Sequence, residues 1–274
     1  MSKIPIRKMP FEFPEKIDPF IFANSPERSA SVVATSLLLP YLEPYLIRTM
    51  KAAKPRVTDP RLLDDLARFS AQEGQHYRMH MRFNDALRTE HLPRLAEFEK
   101  EISDDYQRFT RTRSLRFNLA YAEGFEALTM NLVLFAFTHL SLFDEVETQV
   151  AQLYEWHLIE ELEHRTVAFD IYDHVCGGYF YRVAAGTWAQ RHYIGWVRRV
   201  ARYILEELPS DDLSREAETA RKREARELAW LALRRAAPMI LRTYMPWYSP
   251  HKVAFTAEMQ EVSDKYTEMA TSTS

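Results

Sequence analysis

Two stretches of this chain read as helices that turn charge inward. From Leu62 the apolar positions step by fours and threes through Leu66 and Phe69, then resume at Phe83 and Leu87. The middle of the same stripe is held by Glu73, His76 and His80. A second stripe runs Val150, Tyr154, His157, Glu161, His164, Ala168, Ile171, Val175. This spacing marks the buried face of a bundle helix. A carboxylate buried without a partner costs several kcal/mol, so a helix ordinarily turns it outward. Any fold for the chain must account for two helices that do the reverse.

Glycine is scarce, 6 in 274 residues, whereas sheets and their tight turns consume it. The expected class is therefore all-α, with long helices and short polar loops. Prolines mark the boundaries. A first helix follows "NSPERS", capped by Asn24 or Ser25, and runs to about Lys54, with a kink or restart expected at Pro40 and Pro44. A second starts at "VTDPRLL", capped by Asp59 or Thr58, and ends near Arg88. The segment "LPRLAEFEKEISDDYQRF" is also helical. A third bundle helix spans about Ser114 to Leu140, and a fourth about Glu145 to Cys176, stopped by Gly177-Gly178. Two further helices cover about 180–207 and 214–244, and a short one follows "MPWYSPHK". Residues 1 to about 24 read as an extended arm over the surface. No low-complexity linker divides the chain, so residues 1–274 are expected to form one domain, a four-helix bundle core at 25–178 with a C-terminal helical extension at 179–274.

A net charge of −3 gives no reason to expect nucleic acid as a partner. The single cysteine, Cys176, excludes a disulfide framework and a cysteine zinc site. The start, "MSKIPIRKMPFEFPEK", lacks the apolar core of a signal peptide, and the longest apolar run, "LVLFAF", is far short of a membrane span of about 18 residues. A cytoplasmic protein is expected. The basic stretches "WVRRVARYI" and "LALRRAAPMILRTYMPW" read as outer helices with arginines in solvent rather than as membrane contacts.

What would hold carboxylates inside such a bundle is metal. Each stripe carries a Glu-x-x-His, Glu73 with His76 and Glu161 with His164, whose members point the same way and are expected to grip one ion per pair. The motif alone is weak, since 9 histidines give about one by chance; its position in the middle of two buried stripes is the stronger signal. Glu43 in "YLEPYLIRTM" lies in an apolar stretch of the first helix, and "AYAEGFEALTMNL" offers Glu126 or, one turn earlier, Glu123. One Glu from each of two helices and a Glu-x-x-His from each of the other two make the donor set of a ferritin-like dimetal centre. Four carboxylates and two divalent ions leave the buried cluster near neutral. His80 and His157, each a turn from a proposed ligand, read as third ligands, proton carriers or core histidines. In a metal-free core, arginines such as Arg48, Arg78 or Arg165 would have to neutralise the acids instead.

With these residues in hand, the chain resembles the bacterial family of predicted metal-dependent hydrolases within the ferritin-like superfamily. "QEGQHYRMHMRFN", "GFEALT" and "WHLIEELEHRTVAFD" carry the resemblance, with "LPYLEPYLIR" and "IPIRKMPFEFPE" looser. It implies Glu43, Glu73, His76, Glu126, Glu161 and His164 as metal ligands and prefers Glu126 to Glu123. Pro44 directly after Glu43 departs from the family pattern, and "PWYSPHKV" matches too loosely to give His251 a role.

An oxygen-rich set with one imidazole per ion suits iron or manganese. The expected function is therefore a di-iron, or mixed Mn/Fe, centre that uses O2 as cosubstrate to oxidise a small organic substrate with an apolar portion. Tyr77, Tyr121, Tyr154 and Trp156 are candidates to carry electrons from an external donor. The alternatives are hydrolysis by a metal-activated water and a non-catalytic iron-binding bundle. A homodimer is compatible with a bundle of this size.

Overall fold

The computed structural model describes residues 4–22, 25–87, 92–138, 146–207 and 215–272. Among them lie nine α-helices and no strand: α1 (Pro26–Ala53), α2 (Pro60–Leu87), α3 (Leu95–Thr112), α4 (Leu115–Phe137), α5 (Thr148–His164), α6 (Val167–Val175), α7 (Tyr179–Glu207), α8 (Arg215–Arg242) and α9 (Ala257–Thr271). The expected cap Asn24, the helix ends at Arg88, Leu140 and Glu145, and the start at 214 fall outside the described residues. Asp59 caps α2 as expected, its Oδ1 accepting the Arg61 N–H at 2.8 Å. Gly177 and Gly178, at φ +58° and +97°, close α6 in the left-handed region.

Three expectations need correction. First, α1 does not restart at Pro40 or Pro44 but runs through both as one helix. Pro40 has no N–H for the Ser36 carbonyl four residues back; Asn84 Nδ2 of α2 donates to that carbonyl instead, at 2.9 Å. The lost bond is replaced from the neighbouring helix. Second, the fourth helix is two, α5 and α6, although neither glycine nor proline interrupts it. The Leu162 carbonyl, which an unbroken helix would give to the Thr166 N–H, accepts Arg165 Nη1 at 2.5 Å, while Nη2 reaches the Val253 carbonyl at 2.9 Å. Third, the N-terminal arm is extended with one side exposed, as expected, but its other side enters the core. Its inward side alternates through Arg7, Met9 and Phe11, all buried, with Lys8, Pro10 and Glu12 exposed. That period of two belongs to extended chain, and it drives alternate side chains into the core.

Four helices close a ring: α1 lies against α2 and α4, and α5 lies against the same two. Outside it, α7 packs along α4 and α1. A Cβ at Gly124 would stand 2.2 Å from Gly186 Cα, so α4 and α7 touch backbone to backbone. α1 is long and apolar enough to cross a membrane by length and composition, contrary to the reading of its sequence. Yet 61% of its most apolar window is buried inside the protein, which is how a core helix looks. The arginines of the basic stretches, among them Arg198, Arg199, Arg234 and Arg235, are exposed as expected.

Candidate metal centre

Inside the ring meet Glu43 of α1, Glu73 and His76 of α2, Glu126 of α4, and Glu161 and His164 of α5, none more than 4% exposed. His157 of α5 joins them. The donors sort into two groups, Glu43 with His76 and His157, and Glu73 with Glu161 and His164, the atoms of each lying within 4.8 Å of one another. In the second group His164 Nε2 stands 3.4 Å from Glu73 Oε1, 3.6 Å from Glu126 Oε2 and 3.6 Å from Glu161 Oε2. In the first, His157 Nε2 is 3.9 Å from Glu43 Oε1 and 3.0 Å from Glu161 Oε1, and His76 Nδ1 is 3.8 Å from that same oxygen. Glu161 therefore divides its carboxylate, Oε1 to one group and Oε2 to the other.

Of the two expected pairings, Glu161 with His164 falls in one group and Glu73 with His76 is split. Glu73 and His76 lie in different donor groups, because α2 and α5 pack with Glu73 beside His164, His76 beside Glu161 and His80 beside His157. Three residues rise about 4.5 Å along a helix, close to the ~3.5–4 Å between the ions of a two-metal site. One Glu-x-x-His thus reaches both levels of the centre, and each level is completed from another helix.

His76 and His164 each have one nitrogen fixed by the protein and the other without a hydrogen bond. His76 Nε2 donates to Glu160 Oε2 at 3.0 Å, leaving Nδ1 inward. His164 Nδ1 donates to Gln72 Oε1 at 2.9 Å, leaving Nε2 inward. For His157 the assignment passes through a chain. Asn84 Nδ2 is held by the Ser36 carbonyl, so Asn84 Oδ1 accepts the Ser36 hydroxyl at 2.6 Å. Ser36 Oγ must then accept from His80 Nδ1, at 2.8 Å, and His80 Nε2 must accept from His157 Nδ1, also at 2.8 Å. His157 Nε2 is left as a lone pair facing Glu161 Oε1. Two lone pairs at that distance need a proton or a cation between them. This pattern, with the distal nitrogen tied and the proximal one free, is that of metal-ligating histidines.

The unpartnered buried atoms tell the same story. Both oxygens of Glu43 and of Glu73, together with His76 Nδ1, Glu126 Oε1, Glu161 Oε2 and His164 Nε2, have no hydrogen bond. Bonds of about 2.1 Å in a tetrahedral arrangement place donors about 3.4 Å apart, which the His164 distances approach. The arginine alternative does not fit: Arg48 and Arg78 are exposed, and Arg165 is turned to backbone carbonyls. Without a cation the charges are frustrated. Burial, then the neighbouring carboxylates, push Glu43 and Glu73 well above the ordinary carboxylate range and Glu126 up to about 7. Against its burial, Glu161 is held well below that range by His164 and His157, and His164 is held well above its own by Glu161. Burial, then His157, keeps His76 neutral. The donor set thus fits two divalent ions, which would neutralise four carboxylates.

Two candidates stand apart. Glu123, one turn from Glu126, faces α7, where Arg182 Nη1 donates to it at 2.8 Å. His80 has both nitrogens engaged and serves as the partner behind His157. Sequence reasoning missed Glu160, Gln72, Glu163 and Arg7, which surround the imidazoles from outside. The adjacent acids in "IEELEH" and the alternation in "IRKMPFEF" were the available signals.

No curated protein and no solved structure matches the chain. A family model described as predicted metal-dependent hydrolase matches residues 5–254, nearly the whole length and every residue of the centre. The chain belongs to that family.

Proposed function

We propose that the two groups hold a pair of divalent ions sharing Glu161 and that the protein is a hydrolase of a small organic substrate. The observation that carries this reading is the divided carboxylate of Glu161, set between the inward nitrogens of His76 and His157 on one side and of His164 on the other. Glu43, His76 and His157 would hold one ion, and Glu73, Glu126 and His164 the other. When bound, such a pair supplies Lewis acidity and brings the pKa of water toward neutrality. The chain's own part is orientation and exclusion of bulk solvent. Phe69 packs edge-on against His164, ring centres 4.8 Å apart, and Trp156 against His76 at 5.0 Å. These apolar walls fix the rings and suit a substrate with an apolar portion. The arrangement also supports the ferritin-like placement of the ring.

The sequence favours oxidation by O2, and the family description favours hydrolysis instead. One observation keeps the oxidative reading second: Glu43, His76 and His157 form a group of two histidines and a carboxylate, a donor set used by non-haem iron oxygenases. Metal analysis of protein purified without chelator, followed by Zn- or Mn-loaded assays on ester and amide substrates, separates the two. Two ions per chain and turnover without a redox metal are expected. A near-ultraviolet band when Fe(II)-loaded protein meets air, with no hydrolysis under any metal, would reverse the order.

A further inference from the structure

We infer that Arg7 is a positioning residue for both halves of the metal centre, and that docking of the N-terminal arm is linked through it to metal loading; this rests on the proposed metal-binding reading. The guanidinium is buried 2.8 Å from Glu160 Oε1 and 2.7 Å from Glu163 Oε1. Its remaining contacts are Glu163 Oε2 at 2.9 Å, Ser263 Oγ at 2.8 Å, the Ser263 carbonyl at 3.1 Å and Thr267 Oγ1 at 3.0 Å. No N–H is left over, and the contacts tie the arm to both α5 and α9.

The two carboxylates lead to different halves. Glu160, with its other oxygen, accepts His76 Nε2. Glu163 Oε2 accepts Gln72 Nε2 at 2.8 Å, and the far end of that amide, Oε1, accepts His164 Nδ1. The first bond leaves His76 Nδ1 bare for the half containing Glu43. The second path fixes the Gln72 amide, which leaves His164 Nε2 bare for the half containing Glu73 and Glu126. A planar fork with five donors holds two carboxylates in fixed directions, which an ammonium on a flexible stem does not. Glu160 and Glu163 are three apart on α5, one helical face round from Glu161 and His164. The arm residue thus grips the outer face of the helix whose inner face carries the ligands.

Linkage then has a definite sign. An ion that binds better when the imidazoles are held favours the docked arm, and the docked arm favours the ion by the same factor. Removing the outer partner of a ligating histidine weakens metal by about 10–100-fold.

The test titrates Mn(II), Zn(II) and Co(II) singly into full-length metal-free protein, with Co(II) absorption reporting each half. Glu160→Gln should weaken by that factor only the ion beside His76, Gln72→Leu only the ion beside His164, and Arg7→Gln both, with Arg7→Lys restoring little. Metal should also slow tryptic cleavage after the exposed Lys8 in wild type and fail to do so in Arg7→Gln. A simple structural staple would shift both halves together in every variant, which would overturn the positioning role. So would a folded Arg7→Gln protein that binds both ions as wild type does. If Arg7→Gln does not fold, the selectivity of Glu160→Gln and Gln72→Leu decides. Wild type that takes up no metal would overturn the metal reading and this inference together, whereas two ions in wild type and an unchanged variant would overturn this inference alone.

Discussion

The two halves of the centre differ in what they offer a cation. One presents two imidazoles and Glu43; the other presents one imidazole with Glu73 and Glu126; Glu161 serves both. Their supports differ too. His157 is oriented through His80, Ser36 and Asn84, back to the Ser36 carbonyl that Pro40 releases, whereas His164 is oriented through Gln72 and Glu163, out to Arg7 of the arm. Nitrogen-rich sites suit zinc and iron, and carboxylate-rich sites suit manganese and magnesium. The contrast teaches that ligands are sorted by height along antiparallel helices and not by the motif that carries them.

Removing Glu161 should have the largest effect, because it erases the element common to both halves. Glu161→Ala protein is expected to fall from two ions per chain to none by elemental analysis; retention of one ion would show that Glu161 belongs to a single half. Next come variants that break the halves separately. His157→Ala should lose the ion beside Glu43, and Glu126→Ala the ion beside Glu73, each leaving one ion per chain. Glu123→Gln should retain two, since Glu123 pairs with Arg182; a loss there would move the α4 ligand back one turn.

The pH response sharpens the comparison because carboxylates are concentrated in one half. Glu126 ionises at about 7 in the metal-free centre, against 4.5 in the unfolded chain, because burial and then Glu161 oppose its charge. With the folded pKa raised, stability is full below about 4.5 and declines as pH rises through about 7, by about 3 kcal/mol for this group. Glu43 and Glu73 shift in the same direction. Loading requires the ionised acids, so metal-bound protein should gain stability over the same window. Thermal melts from about pH 5 to about pH 8, with and without Mn(II), should slope in opposite directions; parallel curves would contradict the centre.

The smallest expected effect is that of His80→Ala, which leaves every donor in place but frees the His157 ring. Affinity at the half beside Glu43 should fall by about 10–100-fold with the other half unchanged. An equal loss at both halves in calorimetric titration would mean that His80 acts on the packing as a whole.

How much of this was legible in the sequence depends on how local the cause is. Glu73, His76, Glu161 and His164 could be read because a stripe's periodicity is contained in one helix. Glu43 stood out as a carboxylate in an apolar run. The choice between Glu126 and Glu123 is made by Arg182, which arrives from α7 and has no signature near "GFEALT". His80 and His157 look equivalent in their own helices, and only the Ser36–Asn84 pair across the interface separates them. The break after His164 is made by one side chain capping its own helix. Arg7 was hidden longest, its partner Glu160 lying 153 residues away. Both are marked only by an alternation in the arm and by a second acid beside the ligand.

The most direct measurement is anomalous diffraction from crystals grown with Mn(II) or Zn(II). Two peaks about 3.5–4 Å apart, one flanked by His76 and His157, the other by His164, with a Glu161 oxygen on each, are the expected result. A single peak, or none between these side chains, would contradict a shared two-ion centre.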